Sequence, residues 1–323
     1  MDLLSHALLP YLLGKFFKRR KEEIAALTIG GIAPDFDISL LWINFIYPNF
    51  FLLTHRGITH SIFFGFFTGV LILYLATQSR VKNIVKRYID FEPVFSRRTV
   101  LFAFAGVIIH LILDYSTTRG IPLLYPFEVS RFSAEVFFYT DTYLMILALV
   151  MVIWLYRKPL QKNTVTKFLV IYLIVFAGLG TARLTEKLSA EQFFHDTGIQ
   201  AYPTMSIFDW YALAKDNNEI KIYEYNGFNG TSVYNETVPA LDVLSQGEGL
   251  DSALGAAGEL PQIKMFEWRA YAVAINATSS GSVWFLEYYD PLGKAMARSA
   301  PAFLMRINKP IRVKVEAGKA VVV

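Results

Sequence analysis

The sequence predicts a mostly α-helical, multi-pass transmembrane bundle followed by a small β-rich domain on the extracytoplasmic side. Three observations carry this expectation. Hydrophobic residues make up 54% of the chain and charged residues only 18%, a balance suited to a membrane solvent. The apolar residues gather in runs close to the length that crosses a hydrocarbon core. Past about residue 184 those runs give way to alternating apolar and polar residues between turn signals. The expected division is therefore 1–183, a helical membrane domain, and 184–323, a β-rich domain.

The first run, Leu3 to Phe17, is short and contains Pro10 and Gly14, so it reads as a re-entrant or closely packed helix rather than a span. Its basic cluster follows the apolar stretch, which argues for a retained segment and against a cleaved signal. Residues 24–47 are long enough to cross, but "APDFD" puts Pro34, Asp35 and Asp37 at mid-depth, where a bare helix would resist them. Runs at 61–77, 99–115, 139–156 and 167–183 read as four membrane helices. Lys and Arg cluster from Lys15 to Lys21, Arg80 to Arg98 and Arg157 to Lys167, and the positive-inside rule makes those connections cytoplasmic. Segments 47–60 and 116–138 then fall outside, as does everything after Arg183, in a protein of the cell membrane. Asn-X-Thr triplets at Asn229, Asn235 and Asn276 agree with that placement, because such triplets are acceptors only where glycosylation machinery reaches.

In the second part, "EIKIYEYNGF", "RAYAVAINATSSGSVWFLEYYD" and "PIRVKVEAGKAVVV" read as strands joined at Asn-Gly, Ser-Gly and Ala-Gly turns. The Gly- and Ala-rich "LSQGEGLDSALGAAGELPQ" between them reads as a loop or short helix. A net charge of +4 comes from short clusters and not from one basic face, which argues against a nucleic-acid partner. Cysteine is absent, so a bound metal must rely on His, Asp or Glu.

Four of the five histidines, His6, His55, His60 and His110, lie in the first third of the chain beside Asp35, Asp37 and Asp114. Ionisable groups near lipid need a partner or a purpose, and a divalent metal supplies both. His110 and Asp114 are four apart and share a helix face. His55 and His60 are five apart and would splay on a continuous helix. A turn at Gly57, with Thr59 or Ser61 capping the next helix, lets both face one point at its outer mouth. Asp141 opens the following helix at the same level, as ligand or as cap. The alternative for each position alone is an interhelical hydrogen-bonding group. His195 is given no role.

The segments "SHALLPYLLG", "IAPDFD", "HRGITHS" and "HLILD" resemble, in order and spacing, the motifs of the YdjM-like family of inner-membrane-associated, metal-dependent hydrolases. The likeness covers residues 1 to about 115, with a weaker similarity around "AYPTMSIFDWYALAKDNNEIKIYEY". It implies a helical metal site distantly related to zinc-dependent phospholipase C and the S1/P1 nucleases. The ligands it nominates are His6, Asp35, His55, His60, His110 and Asp114.

The expected function is a zinc- or similar metal-dependent phosphoesterase acting on a lipid or lipid-linked phosphate ester at the outer face. Asp114 and Arg56 would serve the chemistry, Arg56 by holding a phosphate oxygen, with Arg119 or Arg131 in reserve. The competing reading is a non-catalytic metal-binding scaffold or carrier whose β-rich domain recruits a partner. A metal-free lipid phosphatase lacks its "PSGH" element here, and a zinc protease lacks H-E-x-x-H.

Overall fold

The computed structural model describes residues 1–47, 54–87, 92–157, 162–194, 198–216, 218–245, 247–298 and 309–323. The chain forms two compact units, Met1–Trp42 with Leu53–Thr181, and Ile43–Leu52 with Ala182–Val323. The first is helical.

Helix α1 (Leu3–Phe16) starts on the Asp2 side chain, which accepts the Ser5 amide at 2.9 Å. Pro10 sits inside it. In α2 (Lys21–Ile32) the Glu23 carboxylate accepts the Arg20 amide at 3.2 Å and pairs with Arg98. Pro34 cannot continue α2 without losing a backbone bond, and the chain tightens into a 3-10 segment, Ala33–Leu40, followed by the single-turn α3 (Ile43–Ile46). A second 3-10 turn, Ile58–His60, leads to Ser61, whose hydroxyl accepts the Phe64 amide and caps α4 (Ile62–Thr77). The short α5 (Ser79–Val85) bends away from α4 by 79°. Ser96 and Thr99 cap α6 (Arg97–Tyr115) reciprocally. Then come α7 (Thr142–Arg157) and α8 (Lys162–Phe193).

Glycines set the spacing of α1, α2 and α6. A Cβ on Gly30 would lie 1.9 Å from the Ala103 carbonyl oxygen, one on Gly106 would lie 2.1 Å from that of Leu27, and one on Gly31 would lie 2.3 Å from that of His6. No L side chain fits those places without moving backbone. Leu8, Leu9, Leu12, Leu144, Ala148, Leu169 and Tyr172 form the core of α1, α7 and α8.

Of the four runs read as spans, α6 and α8 are long and apolar enough to cross a membrane. α4 reaches that length only together with α5 across their bend, and α7 is apolar but shorter. Its 16 residues at about 1.5 Å each cover roughly 24 Å, less than a core of about 30 Å. Helix α8 does not stop near Arg183 but runs to Phe193. "LTEKLSAEQF" loses hydrophobicity at that point without containing Gly or Pro, so the helix continues where the apolar run ends.

The second unit carries two sheets. β1 (Gln200–Pro203), β2 (Asp209–Lys215), β3 (Glu219–Asn226) and β4 (Thr231–Pro239) form an antiparallel meander. The other runs β5 (Leu241–Val243), β6 (Ala274–Ser280), β7 (Val283–Tyr289), β8 (Ile311–Glu316) and β9 (Lys319–Val322), with only β5 and β6 parallel. Ala317 and Gly318 turn β8 into β9 with φ of +48° and +74°, the conformation a two-residue hairpin demands. The Gly- and Ala-rich stretch supplies α9 (Leu250–Gly258), which with α10 (Pro261–Arg269) packs Ala253, Ala257, Ile263 and Phe266 on Trp284, Leu286, Val313 and Val315. The short α11 (Pro291–Met296) follows β7. Asn229 lies in the exposed β3–β4 turn and Asn235 is exposed on β4, whereas Asn276 is a β6 residue whose side-chain amide reaches Glu287.

Candidate metal centre

Four elements of the helical unit bring the predicted polar residues to one place. Helix α1 carries His6, the Pro34-initiated 3-10 segment carries Asp35 and Asp37, the turn before α4 carries His55 and His60, and α6 carries His110 and Asp114. The 54–61 stretch is a bend and a 3-10 turn rather than α-helix, so the His55 and His60 rings come within 5.1 Å at 80° to each other.

Asp114 lies at the middle. Its Oδ2 is 3.4 Å from Nε2 of both His60 and His110, and its Oδ1 is 3.2 Å from His6 Nε2. Asp35 Oδ1 is 3.4 Å from His60 Nε2 and 3.7 Å from His110 Nε2. The His6 and His110 rings stack at 3.7 Å, and the Met1 amino group also meets Asp114. Two groups have the spacing of metal ligands: Asp35, His60, His110 and Asp114; and Asp37, His55 and His60.

The outer contacts orient the inner ones. His110 Nδ1 donates to the Gly31 carbonyl at 2.7 Å, which fixes the tautomer and leaves Nε2 facing Asp35 and Asp114. This bond exists because the Gly30–Gly106 approach lets α2 and α6 lie so close. Asp37 stands between two rings, its Oδ1 at 2.8 Å from His55 Nδ1 and its Oδ2 at 3.3 Å from His60 Nδ1, and Thr59 donates to it at 3.1 Å.

Buried His60 Nε2, His110 Nε2 and both His6 nitrogens make no hydrogen bond among the described residues, and Asp114 Oδ2 meets Arg56 Nε at 2.9 Å. Buried polar atoms are rarely left so. Three carboxylates face one guanidinium, the Met1 amino group and the histidine rings. Burial lowers the His60 imidazole, yet the Asp37, Asp35 and Asp114 carboxylates overcome burial and push it up to about 9. Burial raises the Asp37 carboxyl, while the His60 and His55 rings more than offset this and hold it below the usual carboxylate range. Imidazole nitrogen and carboxylate oxygen converging in this way suit a borderline divalent cation.

Arg56 is drawn in against Asp114. It is 1% exposed, its Nε lies 2.9 Å from Asp114 Oδ2, Nη1 donates to Thr117 Oγ1 at 2.6 Å, and the guanidinium covers the Tyr139 ring at 4.3 Å. Thr117 in turn donates to the Asp114 carbonyl. A guanidinium so engaged positions Asp114. Arg131 donates to the Arg119 and Gly120 carbonyls and staples the 116–138 connection. Asp141 lies outside both ligand groups; its Oδ1 accepts the Leu144 amide at 3.1 Å and caps α7, so of its two expected roles the geometry favours the cap. Thr59, expected as a candidate cap, instead donates to Asp37, while Thr117, Tyr139 and the Gly31 carbonyl were invisible to sequence reasoning, since no spacing rule ties them to the cluster. His195 lies outside the described residues.

A His and Asp cluster built across apolar helices marks a membrane protein with a potential metal site. The chain belongs to the family described as YdjM inner membrane protein, whose model matches residues 1–184. Neither the comparison with curated proteins nor that with solved structures gives a match.

Proposed function

We propose that the protein is a membrane-bound, metal-dependent hydrolase that cleaves phosphate esters of lipids or lipid-linked molecules at the outer face. In this reading residues 1–183 are the membrane domain and 184–323 lie outside. The observation that carries it is the convergence of buried His60 Nε2 and His110 Nε2, which make no hydrogen bond among the described residues, on the Asp35 and Asp114 carboxylates.

Asp35, His60, His110 and Asp114 would hold a divalent ion, with His6 beside Asp114. Asp37 and His55 either orient His60 or hold a second ion. A bound zinc-like ion supplies Lewis acidity and lowers the pKa of coordinated water. Arg56 fixes the Asp114 carboxylate in place, and the Gly31 carbonyl fixes the His110 ring. Asp35 and His55, 11% and 10% exposed where His6, His60, His110 and Asp114 are 0%, form the side from which substrate can approach.

The test is turnover of a panel of phosphomonoesters and phosphodiesters by metal-loaded protein. Asp114→Asn is expected to abolish it in a folded protein. Metal bound with no turnover of any phosphoester would leave the scaffold or carrier reading in its place.

A further inference from the structure

We propose that the 3-10 segment Ala33–Leu40 and the turn at 122–129 form an apolar rim immersed in the lipid leaflet, so that an amphiphilic substrate reaches Asp35 and His55 from within the membrane. This rests on the membrane and metal reading above and adds the route and the surface.

The 3-10 segment is two-sided. Asp35 and Asp37 turn toward the cluster, while Phe36 and Ile38 between and after them are 46% and 51% exposed. Across the first turn of α4 lies the 122–129 connection, joined to it by the Ile62 amide donating to the Leu123 carbonyl at 3.0 Å and by the Phe64 and Tyr125 rings at 5.6 Å. It presents Leu124 at 43%, Phe127 at 87% and Val129 at 41% exposure, and its only charged residue is Glu128. Single exposed apolar residues are ordinary, but a set grouped around one helix end beside a candidate site is not.

Two further features fit lipid rather than water. The turn pairs part of its backbone: Tyr125 donates to Pro122, Phe127 to Leu124, and Ile121 and Phe132 exchange bonds at its base. Unpaired backbone is costly in the hydrocarbon core, so a turn of this kind suits the headgroup level of the leaflet. The apolar surface also continues along α4, where Phe63 and Phe67 are 44% and 53% exposed, a face that turns to lipid in the membrane reading. A substrate whose phosphate sits at headgroup level would then need no transfer through water.

The absence of cysteine allows a clean test. Full-length Phe127→Cys carries an environment-sensitive fluorophore in proteoliposomes containing either nitroxide-labelled acyl chains or external iodide. Leu71→Cys, on the exposed face of α4, and Glu259→Cys, in the β-rich unit, serve as references. The expected result is loss of emission to nitroxide lipid and protection from iodide at 127 and 71, with the reverse at 259. Iodide quenching at 127 with lipid quenching at 71 overturns the rim and leaves the membrane reading standing. Iodide quenching at 71 overturns the membrane reading itself. Protection of 127 from both quenchers marks a protein contact and also overturns the rim.

Discussion

The helical unit and the β-rich unit both bury charged side chains, but they use them differently. In the β-rich unit each is absorbed by backbone: Arg183 donates to the Thr204, Met205 and Ser206 carbonyls, and Asp290 accepts the Tyr271 and Gly293 amides. In the helical unit His6, His60, His110 and Asp114 face one another instead, and several of their polar atoms have no hydrogen bond. Buried polarity that closes on the main chain holds a fold together. Buried polarity that closes on a point, across elements far apart in sequence, can hold a ligand.

The sharpest way to break this contrast is to remove one member from each side. His110→Ala is expected to abolish stoichiometric divalent metal in the purified protein, measured by elemental analysis, while Asp290→Ala leaves metal content unchanged and lowers thermal stability. Metal retained by His110→Ala would void the contrast. A second measurement is the pH dependence of metal affinity. With His60 pushed up to about 9 in the metal-free protein, binding must displace its proton. Affinity is therefore expected to rise about tenfold per pH unit between neutrality and that value, with one proton released. Calorimetry in buffers of different ionisation heat reads the proton directly, and a flat profile would show that His60 is neutral before binding.

Smaller effects refine the picture. Gly106→Ala pushes a Cβ toward the Leu27 carbonyl and is expected to cost about 1–3 kcal/mol by overpacking. It should also weaken metal binding, because it displaces the α2 backbone that orients His110. Asp141→Ala is expected to cost about 1 kcal/mol as a lost helix cap and to leave metal content as it was. Loss of metal in that variant would return Asp141 to the ligands.

Much of the secondary structure was legible because it depends on local rules. The Ser61 cap, the i, i+4 pair of His110 and Asp114, the break at Pro34 and the alternating strands of the second unit all follow from spacing within one element. The extent of α8 was misread, since hydropathy reports the surroundings of a helix and not its end.

By itself the sequence determined which residue types could bind a metal, that they lie on apolar segments, and where helices give way to strands. Only the tertiary structure decided how they are employed. Arg56 turns inward onto Asp114, Asp37 bridges two imidazoles, Asp141 caps a helix, and a glycine carbonyl sets the tautomer of His110. Periodicity encodes the face of one element, whereas these roles depend on distances between elements, and those are set by backbone approaches such as that of Gly30 to Ala103.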